Sequence, residues 1–308
     1  MTNKRTTVST KHSAKIKPKF LPPKNDFIFK ELFGDVHNTE LLGAFLKATL
    51  DFPDDEIEDI TITDPHLQKE SKSDKMGILD VRARTKSGME LDIEIQVKES
   101  DFLKNRIEFY NAKMLTKQMS AGDDYDKMCR VINIVITDFD LNKDGASDVY
   151  HHRFVRYDPV NKIQFSDLTS IHTLELTKLP PMDDKSQLWD WLKFLSSTKE
   201  EEFIMIAEKN PTVAKAVNKL TVLSEDERTQ MIYEARENAR RDAVSFENYA
   251  MRKGLAEGRT KGLAEGRTEG LGLAVQVLQL NHSGKSAEEI ASTCNLTIDD
   301  VNAILNYS

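Results

Sequence analysis

The spacing of apolar residues changes its period several times between residues 25 and 141. It is helical in NDFIFKELFGD, where apolar side chains recur mainly three and four positions apart. It alternates in EDITITD and in both halves of ILDVRARTKSGMELDIEIQ, which predicts three strands. A helical segment from about Phe102 to Ser120, capped by an Asp, then precedes the continuous apolar run VINIVIT, which is typical of a strand buried on both faces. The pattern predicts an α/β core in the order helix, three strands, helix, strand.

The pattern after this core predicts two more strands and then helices to the C-terminus. VYHHRFVRYD and NKIQFSDLTSIHTLELTKL have the character of strands, and the sequence turns helical beyond Pro180. His151 and His152 are adjacent in the first of these strands, so they point to opposite faces and are interpreted as structural. Trp189 and Trp191 belong to an apolar helical patch that we expect to be buried.

The last segment, SGKSAEEIASTCNLTIDDVNAILNYS, predicts two short helices with Ser286 and Thr297 as N-caps and a turn at Asn295. This arrangement resembles a helix-turn-helix. The second helix begins with Asp299 and Asp300 and has no Arg, Lys or Gln that could read bases. We therefore expect this segment to contact protein rather than DNA.

These shifts in pattern divide the chain into five segments. The first is polar and basic and ends in Leu-Pro-Pro, so it is interpreted as a flexible basic arm, with order beginning near Asn25. The segments are the arm (1–23), the α/β domain (24–180), a helical region (181–250), a glycine-rich repeat segment (251–280) and the helix-turn-helix-like end (281–308).

The glycine-rich segment contains the repeat KGLAEGRT twice, starting at Lys253 and Lys261, with glycines four positions apart. Each glycine costs a helix about 1 kcal/mol relative to alanine, so propensity alone predicts no independent helix here. Two interpretations stay open. The glycines could form a ridge that lets another helix approach closely, or the segment could be a partly helical spacer.

Composition narrows the class of protein. The chain has 308 residues, 39% of them hydrophobic, which suffices for a core in part of its length. The N-terminus is polar and no apolar run approaches eighteen residues, so we expect neither a signal peptide nor a membrane span, and a cytoplasmic location. Cys129 and Cys294 lie far apart, and neither has a His or Cys neighbour at the spacing of metal ligands. This argues against a disulfide framework and against a zinc site. The net charge of -8 gives no overall attraction for nucleic acid, so an anionic partner would meet local basic patches.

Both predicted strands between Ile78 and Gln96 contain acidic side chains. A three-residue turn, Lys86 to Gly88, would pair Thr85 with Met89, because glycine readily takes the left-handed conformation that closes such loops. The register then places four pairs on one face of the hairpin: Arg84 with Glu90, Arg82 with Asp92, Asp80 with Glu94, and Ile78 with Gln96. A solvated, charged face explains the first two pairs, because opposite charges attract across strands.

The third pair needs another explanation. Two carboxylates roughly 5 Å apart, such as Asp80 and Glu94, repel by about 3 kcal/mol at an effective dielectric constant near 20. A divalent cation that prefers oxygen ligands, such as Mg²⁺, would remove this repulsion while keeping several bound waters. Such an ion eases deprotonation of water and neutralises charge on an attacked phosphodiester, so the pair predicts phosphodiester hydrolysis.

Several segments together resemble the Rpn family, the recombination-promoting nucleases or nuclease-family transposases of the PD-(D/E)XK superfamily. The matching segments are NDFIFKELFG, ILDVRA, the strand that ends in Glu94 and Gln96, RIEFYNAKMLTKQMSAGDDY and VINIVI. The resemblance is strong from about Asn25 to Leu141 and loose in the glycine-rich tail.

The resemblance implies a restriction-endonuclease-like core, followed in this chain by an all-helical C-terminal extension. It implies that Asp80 is the first metal-binding acid and that Glu94 is the acid of the D/E-x-K element, with Mg²⁺ as cofactor and Mn²⁺ as a possible substitute. Gln96 stands where the superfamily has Lys, although Gln is usual in this branch. Since an amide can orient a water but cannot carry a proton or a positive charge, catalysis would depend more on the metal.

The helix after the hairpin carries candidate DNA contacts. Leu103, Ile107, Tyr110 and Met114 form its apolar stripe. Arg106, Lys113 and Lys117 lie beside the stripe. They could bind phosphates, or their aliphatic stems could instead cover the edge of the core while their charges stay in water. Lys30 in the first helix is a further candidate contact.

These observations predict a cytoplasmic, Mg²⁺-dependent DNA endonuclease linked to recombination or transposition-like processes. Asp80 and Glu94 would bind the metal, and Gln96 would orient the attacking water. The alternative is a nuclease-fold protein with little or no catalysis that binds DNA or assembles through its helical tail. In either case we expect DNA as a partner, a homo-oligomer or protein partner at the C-terminal helices, and no membrane.

Overall fold

The computed structural model describes residues 20–50, 52–64, 66–67, 77–78, 80–143 and 148–306. Most of the predicted basic arm, residues 1–19, lies outside this part of the chain. The chain divides into two compact units, Met1–Tyr233 and Glu234–Ser308. None of the described helices is long and apolar enough to cross a membrane.

The first unit is a mixed α/β structure. Its helices are α1 (Asp26–Phe33), α2 (Glu40–Thr49), α3 (Asp54–Glu58), α4 (Leu103–Thr116), α5 (Gln187–Ser196), α6 (Glu200–Lys209) and α7 (Pro211–Glu225). Its strands are β1 (Thr61–Thr63), β2 (His66–Leu67), β3 (Gly77–Ile78), β4 (Val81–Arg84), β5 (Glu90–Gln96), β6 (Val131–Thr137), β7 (His151–Asp158) and β8 (Ile163–Glu175).

Six of these strands form one sheet in the order β1-β4-β5-β6-β8-β7. The pairs β1–β4, β4–β5 and β7–β8 are antiparallel, whereas β5–β6 and β6–β8 are parallel. The predicted α/β class is therefore confirmed, and the restriction-endonuclease-like assignment of the core stays a prediction. The short pair β2–β3 forms a separate sheet, so the predicted strand that began at Ile78 is divided between two sheets.

The register assigns each side chain of the central strands to one of two faces. Asp92, Asn133 and Ile171 lie in one row across β5, β6 and β8, and their side chains define what we call the front face. The next row, Ile93, Ile134 and His172, belongs to the opposite face, the back face. All seven residues of β6 are buried, as the continuous apolar run VINIVIT predicts.

Helix α4 covers the front face through its predicted apolar stripe. Leu103 and Ile107 pack with Val135 of β6, while Met114 and Tyr110 pack with Val131. The stripe is therefore confirmed. The predicted Asp cap is wrong, because Phe102 occupies the N-cap position and makes no side-chain capping hydrogen bond.

The back face belongs to the main hydrophobic core, which also contains α1, α2 and the helices after the sheet. Trp191 of α5 packs against Phe33 and Phe45, with ring centroids 5.7 and 6.0 Å away, and Trp189 is also buried, as predicted. Leu21 is buried in the same core, and its backbone N–H donates to Ser224 Oγ at 2.9 Å. Packed structure thus begins before Asn25, a few residues earlier than the sequence predicts.

The 56-residue helix α8 (Glu227–His282) runs through the entire glycine-rich repeat. The helical character predicted beyond Pro180 is confirmed in this segment, although helix propensity alone did not favour it. Lys253–Glu257 and Lys261–Glu265 are ion pairs four residues apart, with N···O distances of 3.8 and 3.7 Å, and such pairs add a few tenths of a kcal/mol each to a helix.

In the second unit, α9 (Ala287–Cys294) and α10 (Ile298–Asn306) pack with the end of α8 around Val277, Ile290 and Val301. Ser286 caps α9, and Asn295 ends that helix in the left-handed conformation with φ of 53°, both as predicted.

Candidate active site on the front face

The β4–β5 hairpin has the turn and register that the sequence predicts. The Thr85 N–H donates to the Met89 carbonyl at 3.0 Å, and Gly88 closes the turn with φ of 90°. Arg82 lies opposite Asp92, and Arg84 lies opposite Glu90. The ladder ends at Val81 and Ile93, one position before the predicted pair of Asp80 and Glu94.

The acidic face of the hairpin is not solvated. The interpretation of the pairs Arg84–Glu90 and Arg82–Asp92 as a solvated, charged face is therefore wrong for the two acids. Glu90, Asp92 and Glu94 are all buried, since α4 covers this face of the sheet. Arg82 and Arg84 both bind Glu90, with N···O distances of 2.5 and 2.8 Å. Among the described residues Arg82 makes no ion pair with Asp92, although the two lie opposite each other.

Asp80 and Glu94 each have a cationic neighbour. The Ile95 N–H donates to Asp80 Oδ2 at 2.9 Å, which orients that carboxylate, and Lys30 Nζ lies 3.0 Å from Asp80 Oδ1. Arg106 Nη2 of α4 lies 3.4 Å from Glu94 Oε2. The structure therefore brings Asp80, Glu94, Lys30 and Arg106 together, from four different parts of the fold.

The carboxyl group of Glu94 occupies an environment that disfavours its charge. Burial raises its pKa to about 7; Arg106 opposes this rise, and the negative charge of Asp80 adds to it. A carboxyl group with a pKa near 7 can exchange a proton at neutral pH, which an exposed Glu cannot do efficiently.

Asp92 belongs to the same buried cluster, and sequence reasoning missed it as a site residue. Only 1% of Asp92 is exposed, and burial together with the charge of Glu94 raises its pKa well above the usual value. Asn133 donates to Asp92 Oδ2 at 2.7 Å, and Asn111 of α4 donates to Asn133. Within the described chain Asp92 Oδ1 has no hydrogen-bond partner. The sequence feature that could have pointed to Asp92 is Asn133, the polar residue inside the apolar run VINIVIT.

The donor atoms of this cluster suit a hard cation. Asp80, Asp92 and Glu94 offer only carboxylate oxygens, the ligands that Mg²⁺ and Mn²⁺ prefer, and Asp92 Oδ1 is a buried acceptor without a partner. In the part of the chain that the structure describes, no three His, Cys, Asp or Glu side chains are arranged to hold one ion. The residues therefore fit a site with two carboxylate ligands, Asp80 and Glu94, and waters in the other positions.

The other predicted site residues lie at increasing distance from the carboxylates. Gln96 ends β5 and is partly exposed, and the structure shows no hydrogen bond of its side chain to any described residue. Lys113 and Lys117 follow Arg106 along α4 by seven and eleven residues, about 10 and 16 Å of helix rise. They therefore lie farther from the carboxylates along α4 than Arg106 does.

Comparison with known proteins gives one match. A family model described as PD-(D/E)XK nuclease family transposase matches residues 23–250, more than half of the chain, including Lys30, the β4–β5 hairpin and α4. No curated protein and no solved structure matches the chain. The match agrees with the resemblance seen in the sequence, and the chain belongs to the PD-(D/E)XK nuclease family transposases.

Proposed function

We propose that this protein is a metal-dependent DNA endonuclease that hydrolyses phosphodiester bonds in recombination or transposition-like processes. Membership of the family supports a nuclease- or transposase-like role. The observation that carries the proposal is the pair of Asp80, which is half-buried, and Glu94, which is buried. They come from adjacent strand ends and have Lys30 and Arg106 beside them.

Asp80 and Glu94 are the residues that would hold Mg²⁺ or, in its place, Mn²⁺. When bound, the ion supplies positive charge and a more acidic water. The hydrogen bond from Ile95 N–H fixes one oxygen of Asp80 and directs the other toward Lys30. This constraint holds the carboxylate in one orientation, which reduces the entropy lost when a cation or substrate binds.

Lys30 supplies the positive charge that Gln96, an amide, cannot supply. Gln96 can orient a water but carries no charge, whereas the Lys30 ammonium group lies within the carboxylate cluster. We infer that Lys30 stabilises negative charge on the attacked phosphate. Arg106 would contact a neighbouring phosphate, and Lys113 and Lys117 would extend these contacts along α4.

A second function is supported by the same ion pairs. Lys30 and Arg106 already neutralise Asp80 and Glu94, so the cluster is electrostatically compensated without a metal ion. Together with Gln96, this favours a catalytically weak nuclease-fold protein that binds DNA or assembles through its helical tail. The two functions predict different effects of the same substitutions.

The test is cleavage of supercoiled plasmid by the purified full-length protein with Mg²⁺, with Mn²⁺ and with EDTA. The variants are Asp80→Asn, Glu94→Gln and Lys30→Met, and the matched control is Asp126→Asn, which alters an exposed carboxylate. We expect cleavage that needs the metal and that falls at least 100-fold in the first two variants. Lys30→Met should lower the rate and leave metal affinity unchanged or higher, because a competing cation is removed.

Absence of cleavage by the unmutated protein in both metals, combined with DNA binding that survives Asp80→Asn, would reject the endonuclease proposal. That outcome would favour the second function.

A further inference from the structure

The back face of the sheet carries a group of basic side chains that the proposed nuclease site does not use. His172 of β8 lies in the same row as Ile134, so it is on the opposite side of the sheet from Asp92. Arg153 of β7 pairs directly with His172 across the antiparallel strands, so these two side chains share the back face. Arg130, the residue before β6, completes the group.

These basic residues line a cavity of about 240 Å³. Its lining consists of Arg130, Arg153 and His172 together with Leu50, Phe52 and Ile132. The guanidinium carbon of Arg130 lies 5.3 Å from the centroid of the Phe52 ring, which is the distance of a cation–π contact. One cavity therefore combines cationic hydrogen-bond donors with an apolar, partly aromatic wall.

Among the described residues, the two arginines of this cavity have a single carboxylate partner between them, that of Asp167. Arg130 Nε donates to the Asp167 backbone oxygen at 3.1 Å and lies 3.8 Å from its carboxylate, which is largely exposed and so screened by water. Arg153 has no carboxylate partner among the described residues. An anion in the cavity would interact favourably with both guanidinium groups.

His172 adds a buried, neutral imidazole to the two guanidinium groups. Only 6% of the residue is exposed; burial, His151, Arg153 and Arg130 together lower its pKa to about 3. Its Nδ1 lies 2.9 Å from His151 Nε2. When His151 donates this hydrogen bond, His172 carries its proton on Nε2 and can donate to a ligand.

We propose that Arg130, Arg153 and His172 form a binding site for a phosphoryl group on the back face. Two guanidinium groups and one imidazole supply more donors than the two oxygens of a carboxylate can accept, whereas a phosphoryl group has three terminal oxygens. The wall formed by Phe52, Leu50 and Ile132 is suited to the organic part of a phosphate ester. The inference is independent of metal binding and of catalysis on the front face.

The phosphoryl group has two possible sources, a free nucleotide or the backbone of DNA. Isothermal titration calorimetry of the full-length protein in EDTA distinguishes them with three probes: inorganic phosphate, deoxyadenosine monophosphate and a short DNA duplex. The variant is Arg153→Gln, and Arg156→Gln on the same strand is the matched control because it also removes one exposed arginine. The Lys30→Met variant measures any phosphate that binds at the front face.

We expect inorganic phosphate to saturate one site, with affinity at least 10-fold lower in Arg153→Gln and unchanged in Arg156→Gln and Lys30→Met. The imidazole ¹⁵N signals of His172 should shift as the site fills. Tighter binding of the nucleotide than of phosphate, with duplex binding unaffected by Arg153→Gln, identifies a nucleotide site. A loss of duplex affinity in Arg153→Gln identifies a DNA backbone contact. Phosphate that does not bind, binds Arg153→Gln equally well, or leaves the His172 signals unmoved overturns the proposal.

Discussion

At the scale of single residues, Glu94 is expected to destabilise the fold when it is ionised. Its pKa is about 7 in the folded protein and 4.5 in the unfolded chain. Between these two values the folded state binds more protons than the unfolded state, so stability falls as pH rises from about 4.5 to 7. Replacing Glu94 by Gln removes this cost. We therefore predict that Glu94→Gln is more stable than the unmutated protein above pH 7, by about 3 kcal/mol, and that it has lost activity.

Urea denaturation at pH values from 5 to 8.5 in EDTA measures this effect. The control is Glu108→Gln on the exposed side of α4, for which no difference from the unmutated protein should develop across that range. A Glu94→Gln variant that is less stable than the unmutated protein at pH 8 would show that its contact with Arg106 outweighs the cost of burying the charge.

Single residues also show where sequence reasoning about the site stopped. The register of the hairpin correctly placed Arg82 opposite Asp92, but position across two strands does not determine which charge a long side chain reaches. Arg82 extends to Glu90 instead, and Asp92 is left to Asn133. These acids are buried because α4 covers their face of the sheet. The alternating pattern of the hairpin predicts which side chains share a face, but not whether a helix covers that face.

At the scale of secondary-structure elements, local signals succeeded where backbone chemistry is specific. Gly88 closes the predicted turn, and Ser286 and Asn295 begin and end α9 as predicted. Helix propensity was misleading for α8, where glycines at four-residue intervals argued against an independent helix, although the sequence beyond Pro180 was predicted to be helical. The structure shows a continuous helix, and apart from its chain neighbours and the adjoining backbone of α8, a Cβ added at Gly258 or Gly266 would meet no described atom within 4 Å.

This open space leads to a prediction for α8. In the double variant Gly258→Ala/Gly266→Ala, each alanine lowers the free energy of the helix by about 1 kcal/mol. Amide hydrogen exchange between residues 250 and 275 should therefore slow by several-fold to tenfold at these positions. Sedimentation of the same variant should be unchanged if the repeat is a spacer.

The control is Ala256→Gly/Ala264→Gly, which should speed exchange in the same segment. Slower exchange without a change in association supports the spacer interpretation. A loss of self-association in the alanine variant would instead support the glycine ridge as a surface that another helix approaches closely.

At the scale of the whole molecule, the sequence predicted the class of fold because the α/β core consists of long, strongly periodic segments. The order of strands in space was less accessible. Nothing in a short strand such as EDITITD states that its β1 lies at the edge of the sheet, or that β8 separates β6 from β7. The back-face cavity was equally hidden, because Arg130, Arg153 and His172 meet only after three strands have paired.

The net charge of -8 leads to a prediction that separates the two functions of the whole protein. A negatively charged protein binds DNA through local cations, and each phosphate contact adds about 0.9 to the magnitude of the slope of log K against log salt. Replacing both Lys113 and Lys117 by Gln should reduce this magnitude by about 2 if α4 holds the DNA. Fluorescence anisotropy with a short duplex in EDTA, at salt concentrations between 50 and 200 mM, measures the slope.

The matched control is Lys253→Gln/Lys261→Gln, which removes two positive charges from α8. If the front face is the DNA-binding surface, this control keeps the slope of the unmutated protein. Salt at these concentrations screens the interaction between DNA and charges that do not contact it. If the slope falls in the α8 variant and not in the α4 variant, DNA is held by the helical tail. The alternative function would then be the better description, with the carboxylate cluster a remnant of the family's nuclease site.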